Sequence, residues 1–437
     1  MAGDAYIPSL YRPRFLFDIP TRPLLSIANW ENGLAFKDID FSDDGGLPVV
    51  KIAEVKSGLG PETKYTRAEY NERALLSDGD LLFCWSGSPE TSIGTFRWWN
   101  GPAWLNQHIF KVTPKEGITA DFLRHLLLYL QPNLVQIAKN KQTTGLGHVT
   151  KADLRDIKVQ VPDPSVQAAI SNLLTPIDDK IELNRRLAVT LEDMVRALFK
   201  SWFVDFDPVY AKAEGRDTGL PTETASLFPS RIGDDGLPDG WQQTTLATFA
   251  DLNPENRSST TDQIIAYVDL ANTKRGVIES VQYFTSQDAP SRAQRALRVG
   301  DTIVGTVRPA NASYALIGED KLTGSTGFAV LRPKSADLRE YVYLAATSRE
   351  NVDALAGLAD GGAYPAVRPS VVAETPCCRA PESILEAFSA AASSLVDRIE
   401  AARKQSSKLV SLRDTLLPKV ISGELRIKDS ESAMEVA

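Results

Sequence analysis

One stretch of this chain is written twice, and that repetition constrains its fold more than any other feature. IDDKIELNRRLAVTLEDMVRALF (Ile177–Phe199) and LVDRIEAARKQSSKLVSLRDTLL (Leu395–Leu417) superpose without a gap, Ile181-Glu182 falling on Ile399-Glu400. Upstream, VPDPSVQAAI (Val161–Ile170) matches APESILEAF (Ala380–Phe388), and FKVTPKEGITADFL (Phe110–Leu123) matches AVLRPKSADLREYV (Ala329–Val342) with one residue of slippage. ALLSDGDLLF (Ala74–Phe83) answers ALRVGDTIVG (Ala296–Gly305), and DIPTRPLLSIA (Asp18–Ala28) answers GLPDGWQQTTLA (Gly236–Ala247). A pattern repeated in order is a supersecondary plan repeated in order. Each half therefore predicts an α+β globule of strands, Gly-Asp turns and a short helix, followed by proline and one long helix.

The long helices carry thin apolar seams. With Ile181 at heptad position a, the first places Leu174, Ile181, Ala188 and Val195 at a, and Ile170, Ile177, Asn184, Leu191 and Leu198 at d. In the same frame the second places Ala392, Ile399, Ser406 and Arg413 at a, and Phe388, Leu395, Ala402, Leu409 and Leu416 at d. An ordinary surface helix covers its own globule with a broader stripe, whereas a narrow a/d seam seeks another helix. The favoured expectation is that the two seams pair as an antiparallel coiled coil through Ile177, Ile181, Ala188, Leu191, Leu198, Leu395, Ile399, Ala402, Leu409 and Leu416. About 30 helical residues make a rod on the order of 45 Å. Two similar heads on such a rod suit a split DNA site, since equivalent positions on one face of B-DNA recur every ~34–36 Å.

Composition removes several classes. The 437 residues, 43% hydrophobic and 24% charged, suffice for two or three globular domains. No run of about 18 apolar residues occurs, and the N-terminal stretch lacks a signal-peptide layout, so no membrane span and a cytoplasmic location are expected. Cys84, Cys377 and Cys378 are too few and too scattered for a disulfide framework or a zinc knuckle. The net charge of −8 argues against a chain that simply coats nucleic acid, yet permits a local basic surface. There is no G-x-x-x-x-G-K-[ST] loop for ATP. DPVY (Asp207–Tyr210) approaches an amino-methyltransferase motif but has valine at its third position and no glycine-rich turn to support it. The Glu-x-Lys triplets at Glu54 and Glu319 are common by chance in so charged a chain, and His108, His125 and His148 are not grouped for a metal.

PIDDKIELNRRLAVTLEDMVRALFKSWFVDFDPV (Pro176–Val209), with its degenerate copy ending LRDTLLPKVISGEL, resembles the conserved regions of the specificity (S) subunit of Type I restriction-modification enzymes. That resemblance covers essentially the whole chain. It implies a first target recognition domain at 1–163, a first conserved spacer helix at 164–205, a linker at 206–240, a second target recognition domain at 241–380, a second spacer helix at 381–428 and a polar tail at 429–437. It further implies a non-catalytic chain that reads a bipartite site in double-stranded DNA, binds two methyltransferase (M) subunits and is joined by up to two restriction (R) subunits. No cofactor is expected on this chain; S-adenosylmethionine, ATP and Mg belong to the partners. A protein-only coiled-coil scaffold, and less favourably a self-contained adenine methyltransferase, are the alternatives.

Two loops per half suit DNA. In KNKQTTGLGHVTKADL, Lys139, Lys141 and Lys151 can meet phosphates, Gln142 offers an amide to adenine, Thr143, Thr144 and His148 add short polar groups, and Gly145 lets the backbone approach. Its counterpart LADGGAYPAVRPSVV offers Tyr364 and Arg368. After the Gly-Asp turns come Arg97 in the first half, and Arg308 and Asn311 in the second, arginine favouring guanine and asparagine adenine. Trp98 and Trp99 read as core or rim aromatics.

Overall fold

The computed structural model describes residues 14–43, 45–60, 62–142, 145–257, 264–362 and 364–425; Thr143, Thr144 and the tail 429–437 lie outside them. The chain divides into two compact units, Met1–Glu182 with Ser406–Ala437, and Leu183–Gln405. Each mixes helix and strand.

In the first unit, the strand Ile109–Pro114 pairs antiparallel with Ala28–Asn32 on one side and Leu81–Cys84 on the other, and Gly94–Arg97 extends the sheet beyond Leu81–Cys84. All four residues of Leu81–Cys84 are buried because both faces of this strand are covered. Side chains alternate across a strand. Leu81 and Phe83 therefore join a core with the helix Ala120–Tyr129, while Leu82 and Cys84 pack on Val50, Leu76 and Leu105 beneath a second sheet. That sheet runs Tyr65–Thr66, Leu47–Val50, Ala103–Leu105, Leu75–Leu76, and its middle pair is parallel. A short ladder, Thr21–Pro23 with Lys158–Gln160, ties the start of the unit to the segment entering the first long helix.

The second unit has a sheet in the order Ala250–Leu252, Phe328–Pro333, Thr302–Gly305, Tyr314–Leu316, and another in the order Gln282–Phe284, Ile265–Val268, Leu322–Ser325, Ala293–Ala296. Ile265–Val268 and Leu322–Ser325 are parallel. Here too one strand serves two cores, Val304 facing the aromatic core and Ile303 the smaller cluster. Gln242–Thr245 pairs with Pro376–Arg379 ahead of the second long helix.

The long helices are Pro164–Phe203 and Glu382–Ser422. Proline opens the first, where its missing N–H would be unpaired anyway. Their ends are not narrow seams. Ile170 and Leu174 of the first and Leu417, Val420 and Ile421 of the second are buried in the core of the first unit. Val195, Phe199, Trp202 and Phe203 of the first, with Ile384, Phe388, Ala392 and Val396 of the second, are buried in the core of the second unit. Leu198 packs at the edge of that core and Leu416 at the edge of the first. Only Ala188, Leu191 and Ile399, flanked by Leu187 and Leu395, form a small cluster made of helix residues alone. Ala402 is buried, whereas Ile177, Ile181 and Leu409 are half-buried. A heptad count treats all a and d positions alike; Trp202 is the next a position after Val195, but Phe199 and Phe203 fall at neither a nor d, so the width of the aromatic end escapes the count.

The Gly- and Pro-rich stretch 206–240, read from sequence as a linker, is largely built into the second unit. Phe206 adopts a left-handed conformation (φ 54°) that ends the long helix and turns the chain into Asp207–Ala213. Val209, Ala211 and Phe228 are buried there, and Trp202 meets the Phe228 ring edge-on at 4.9 Å. The DPVY tetrapeptide is the start of this short helix, with Pro208 and Val209 turned into the protein. Among the described residues no helix is long and apolar enough to cross a membrane, and no group of His, Cys, Asp and Glu could hold a metal.

Candidate DNA interface

The two candidate loops of the first unit meet. Gly147–His148 pairs antiparallel with Ser86–Gly87, and Val149 N–H donates to the Trp85 carbonyl at 2.8 Å. Glycine is required at the crossing: a Cβ on Gly147 would lie 2.3 Å from the Ala138 carbonyl oxygen. Lys139 Nζ bonds Glu90 at 2.6 Å across the joint, and Lys141 Nζ bonds Asp153 at 2.6 Å. Gln142 and Gly145 are exposed, His148 is half-buried, and Lys151 lies over the Phe110 ring at 5.6 Å. Lys139–Glu90 is a surface pair of small net strength, whereas Asp153 is mostly covered and also accepts from Thr150.

Arg97 stands apart from that group. Its guanidinium bonds Asp121, lies 3.8 Å from Asp179 and stacks near Trp99, leaving the side chain 16% exposed. Trp98 is buried and donates its indole N–H to the Gly101 carbonyl at 2.6 Å.

In the second unit the corresponding segments are joined in the same way. Val307 bridges Ala366, Val367 N–H donates to the Thr306 carbonyl at 2.9 Å, and Arg308 N–H donates to the Pro365 carbonyl at 2.7 Å. Arg308 (φ 48°) and Ala312 (φ 52°) are both left-handed and enclose the turn Pro309–Asn311. The Arg308 guanidinium lies 4.4 Å from the centre of the Tyr364 ring. Asn311 is exposed, and Arg368, also exposed, stands at the N-terminal boundary of the helix Pro369–Ala373 without a side-chain capping bond.

Sequence reasoning missed the polar groups between the helices and the globules. Asp178 is buried and accepts from Arg124, lies 3.0 Å from His125 Nε2, and accepts from Arg413 Nη1 at 3.2 Å. Burial alone raises a carboxyl pKa; the His125 hydrogen bond and the Arg124 charge overcome it and hold Asp178 well below the usual carboxylate range. In the second unit Arg196 donates to the Thr347 carbonyl at 3.1 Å and pairs with Glu192, which also accepts from Tyr343 at 3.0 Å. Asn184 donates to Gln405 Oε1 at 2.8 Å. The only sequence signal for these was polar residues at seam positions, Asn184 and Arg413.

A family model described as Type I restriction modification DNA specificity domain matches residues 18–193. Residues 18–193 are thus similar to the DNA specificity domain of Type I restriction-modification enzymes. Among relatives, the HindI specificity subunit of Haemophilus influenzae is 44% identical over 91 residues, which are 21% of this chain and 20% of that protein. The MjaIX specificity subunit of Methanocaldococcus jannaschii is 22% identical over 336 residues, 75% of this chain and 74% of that one. Among solved structures, a Type I restriction-modification S subunit from M. genitalium shares the fold with a TM-score of 0.52 at 13% identity, covering 93% of this chain and 98% of that chain.

Proposed function

We propose that this chain is a Type I restriction-modification specificity subunit, an internal repeat whose two units each read one half of a bipartite site in double-stranded DNA. The observation that carries the reading is the loop joint. Two loops far apart in sequence are bridged by the same hydrogen-bond scheme in each unit, Trp85 with Val149 and Thr306 with Val367. The matching strand orders, each with a parallel middle pair in one of the unit's two four-stranded sheets, support the repeat.

In this reading the helices pair as an antiparallel coiled coil and set the unread spacer. Contacts within the second unit support it: Asn184 meets Gln405 while Trp202 meets Phe388, so partners descend along one helix as they ascend along the other. The boundaries of the sequence reading follow, with target recognition domains at 1–163 and 241–380, spacer helices at 164–205 and 381–428, and the 206–240 segment serving as a docked connection. Lys139, Lys141 and Lys151 hold phosphates; Gln142, His148, Arg308, Asn311, Tyr364 and Arg368 face bases.

Catalysis rests with partners. The chain presents the site to two methyltransferase subunits, with up to two restriction subunits joining, and S-adenosylmethionine, ATP and Mg act on those chains. Co-expression with the methyltransferase subunit, followed by gel shifts against random and cognate duplexes, tests this. The expected result is a complex that prefers one split sequence; a complex without sequence preference at any salt supports a protein-only scaffold instead.

A further inference from the structure

The same loop joint presents different chemistry in the two units. Following the hydrogen bonds that bridge the loops, Gly87 of the first unit occupies the place of Arg308 in the second, and Leu146 the place of Tyr364. Both joint tips carry one large side chain turned to solvent, Leu146 at 58% exposure and Tyr364 at 69%. In the second, the Arg308 guanidinium lies over the exposed ring.

We infer that Arg308 and Tyr364 form one reading unit, the ring holding the guanidinium in place to read a guanine in the second half-site, with no equivalent in the first. This rests on the reading of each unit as a DNA reader. Three observations carry it. The guanidinium sits 4.4 Å from the ring centre, a distance at which the face of the ring attracts a cation. The backbone beneath it is fixed, Arg308 being bonded through its own N–H to Pro365 and bounded by a turn with left-handed residues at both ends. Both side chains are exposed at the surface.

Arginine reads guanine by donating two parallel hydrogen bonds to O6 and N7 in the major groove, a geometry that demands a fixed plane. A free arginine loses several rotors on binding, whereas one already stacked loses fewer. Tyr364 is thus a positioning residue acting through Arg308. Lysine cannot substitute, because its ammonium neither stacks as a plane nor donates in a fork. In the first unit, Gly87 and Leu146 offer no fork, so the corresponding position of that half-site carries no arginine-dependent guanine requirement.

The test uses the full chain co-expressed with its methyltransferase partner, with methylated motifs mapped by modified-base sequencing of the host. Arg308→Lys and Tyr364→Ala are expected to keep the first half-site and the spacer while the preference for guanine at one position of the second half-site falls roughly ten- to hundredfold. Tyr364→Phe, which retains the ring, is expected to restore the preference lost in Tyr364→Ala. A merely structural role lowers methylation of the whole motif without changing its letters. Unchanged letters in Arg308→Lys, or equal loss at every position, overturn the inference. A wild-type complex that methylates no bipartite motif overturns the base-reading assignment on which it stands.

Discussion

Arg413, seven residues before the buried Val420 on its helix, donates a hydrogen bond at 3.2 Å to Asp178 of the other long helix. Asp178 also gathers Arg124 and His125 from the globule, so one buried carboxylate ties both helices to the first unit. Removing one partner from a buried charge group leaves the others uncompensated, at a cost of roughly 3–5 kcal/mol. Asp178→Asn is therefore expected to lower the urea midpoint of the first unit, read by a fluorophore placed there. Retention of the wild-type midpoint contradicts the assignment of Asp178 as the hub.

Acid should act through the same group. Asp178 is more acidic folded than unfolded, so its stabilisation is complete above about pH 4 and is lost as pH falls toward the folded value. Unfolding midpoints of the wild type are expected to drop below about pH 4, with a shallower drop in Asp178→Asn. Parallel pH profiles for the two proteins assign the acid sensitivity elsewhere.

Asn184 and Gln405 are a polar pair in the apolar seam. Asn184 is buried while Gln405 is exposed, so the buried amide is the group that depends on the bond. Gln405→Leu alone, leaving the buried Asn184 amide without this partner, is expected to lower stability by about 1–3 kcal/mol. The double change with Asn184→Leu should recover most of it. A double-mutant cycle without coupling excludes the pairing.

The aromatic end of the helices anchors the second unit. Trp202 stacks among Phe203, Phe228 and Phe388 and is almost wholly buried. Trp202→Ala is expected to destabilise by about 3–5 kcal/mol, seen as proteolysis beginning within the second unit. Cleavage confined to the first unit contradicts this packing.

Phosphate contacts are read by salt. If Lys139, Lys141 and Lys151 meet phosphates, each replacement by alanine lowers the log–log salt slope of DNA binding by about 0.9. Their removal should weaken cognate and non-cognate binding alike. A change in the methylated letters instead assigns them to bases.

Much of this was legible in the sequence because it is periodic or duplicated. The α+β class, two long helices and paired loops follow from the match between Ile177–Phe199 and Leu395–Leu417 and from the Gly-Asp turns. What escaped depends on distant residues coming together. Nothing near Asp178 in sequence announces Arg413, and FLRHLLLYL places His125 at the edge of a core when it lies fully inside one. Phe206–Gly240 looks like a linker because burial of Val209 and Phe228 is set by tertiary packing rather than by local period. Arg97 sits in a loop suited to DNA, yet two aspartates from other segments engage it.

Spacing is the central claim, and motif mapping after a matched change in both helices tests it most directly. One heptad inserted into each long helix adds about 10 Å, the rise of about three base pairs. The account predicts both half-sites unchanged in letters and the unread spacer altered by about that amount. Altered letters with an unchanged spacer would contradict it.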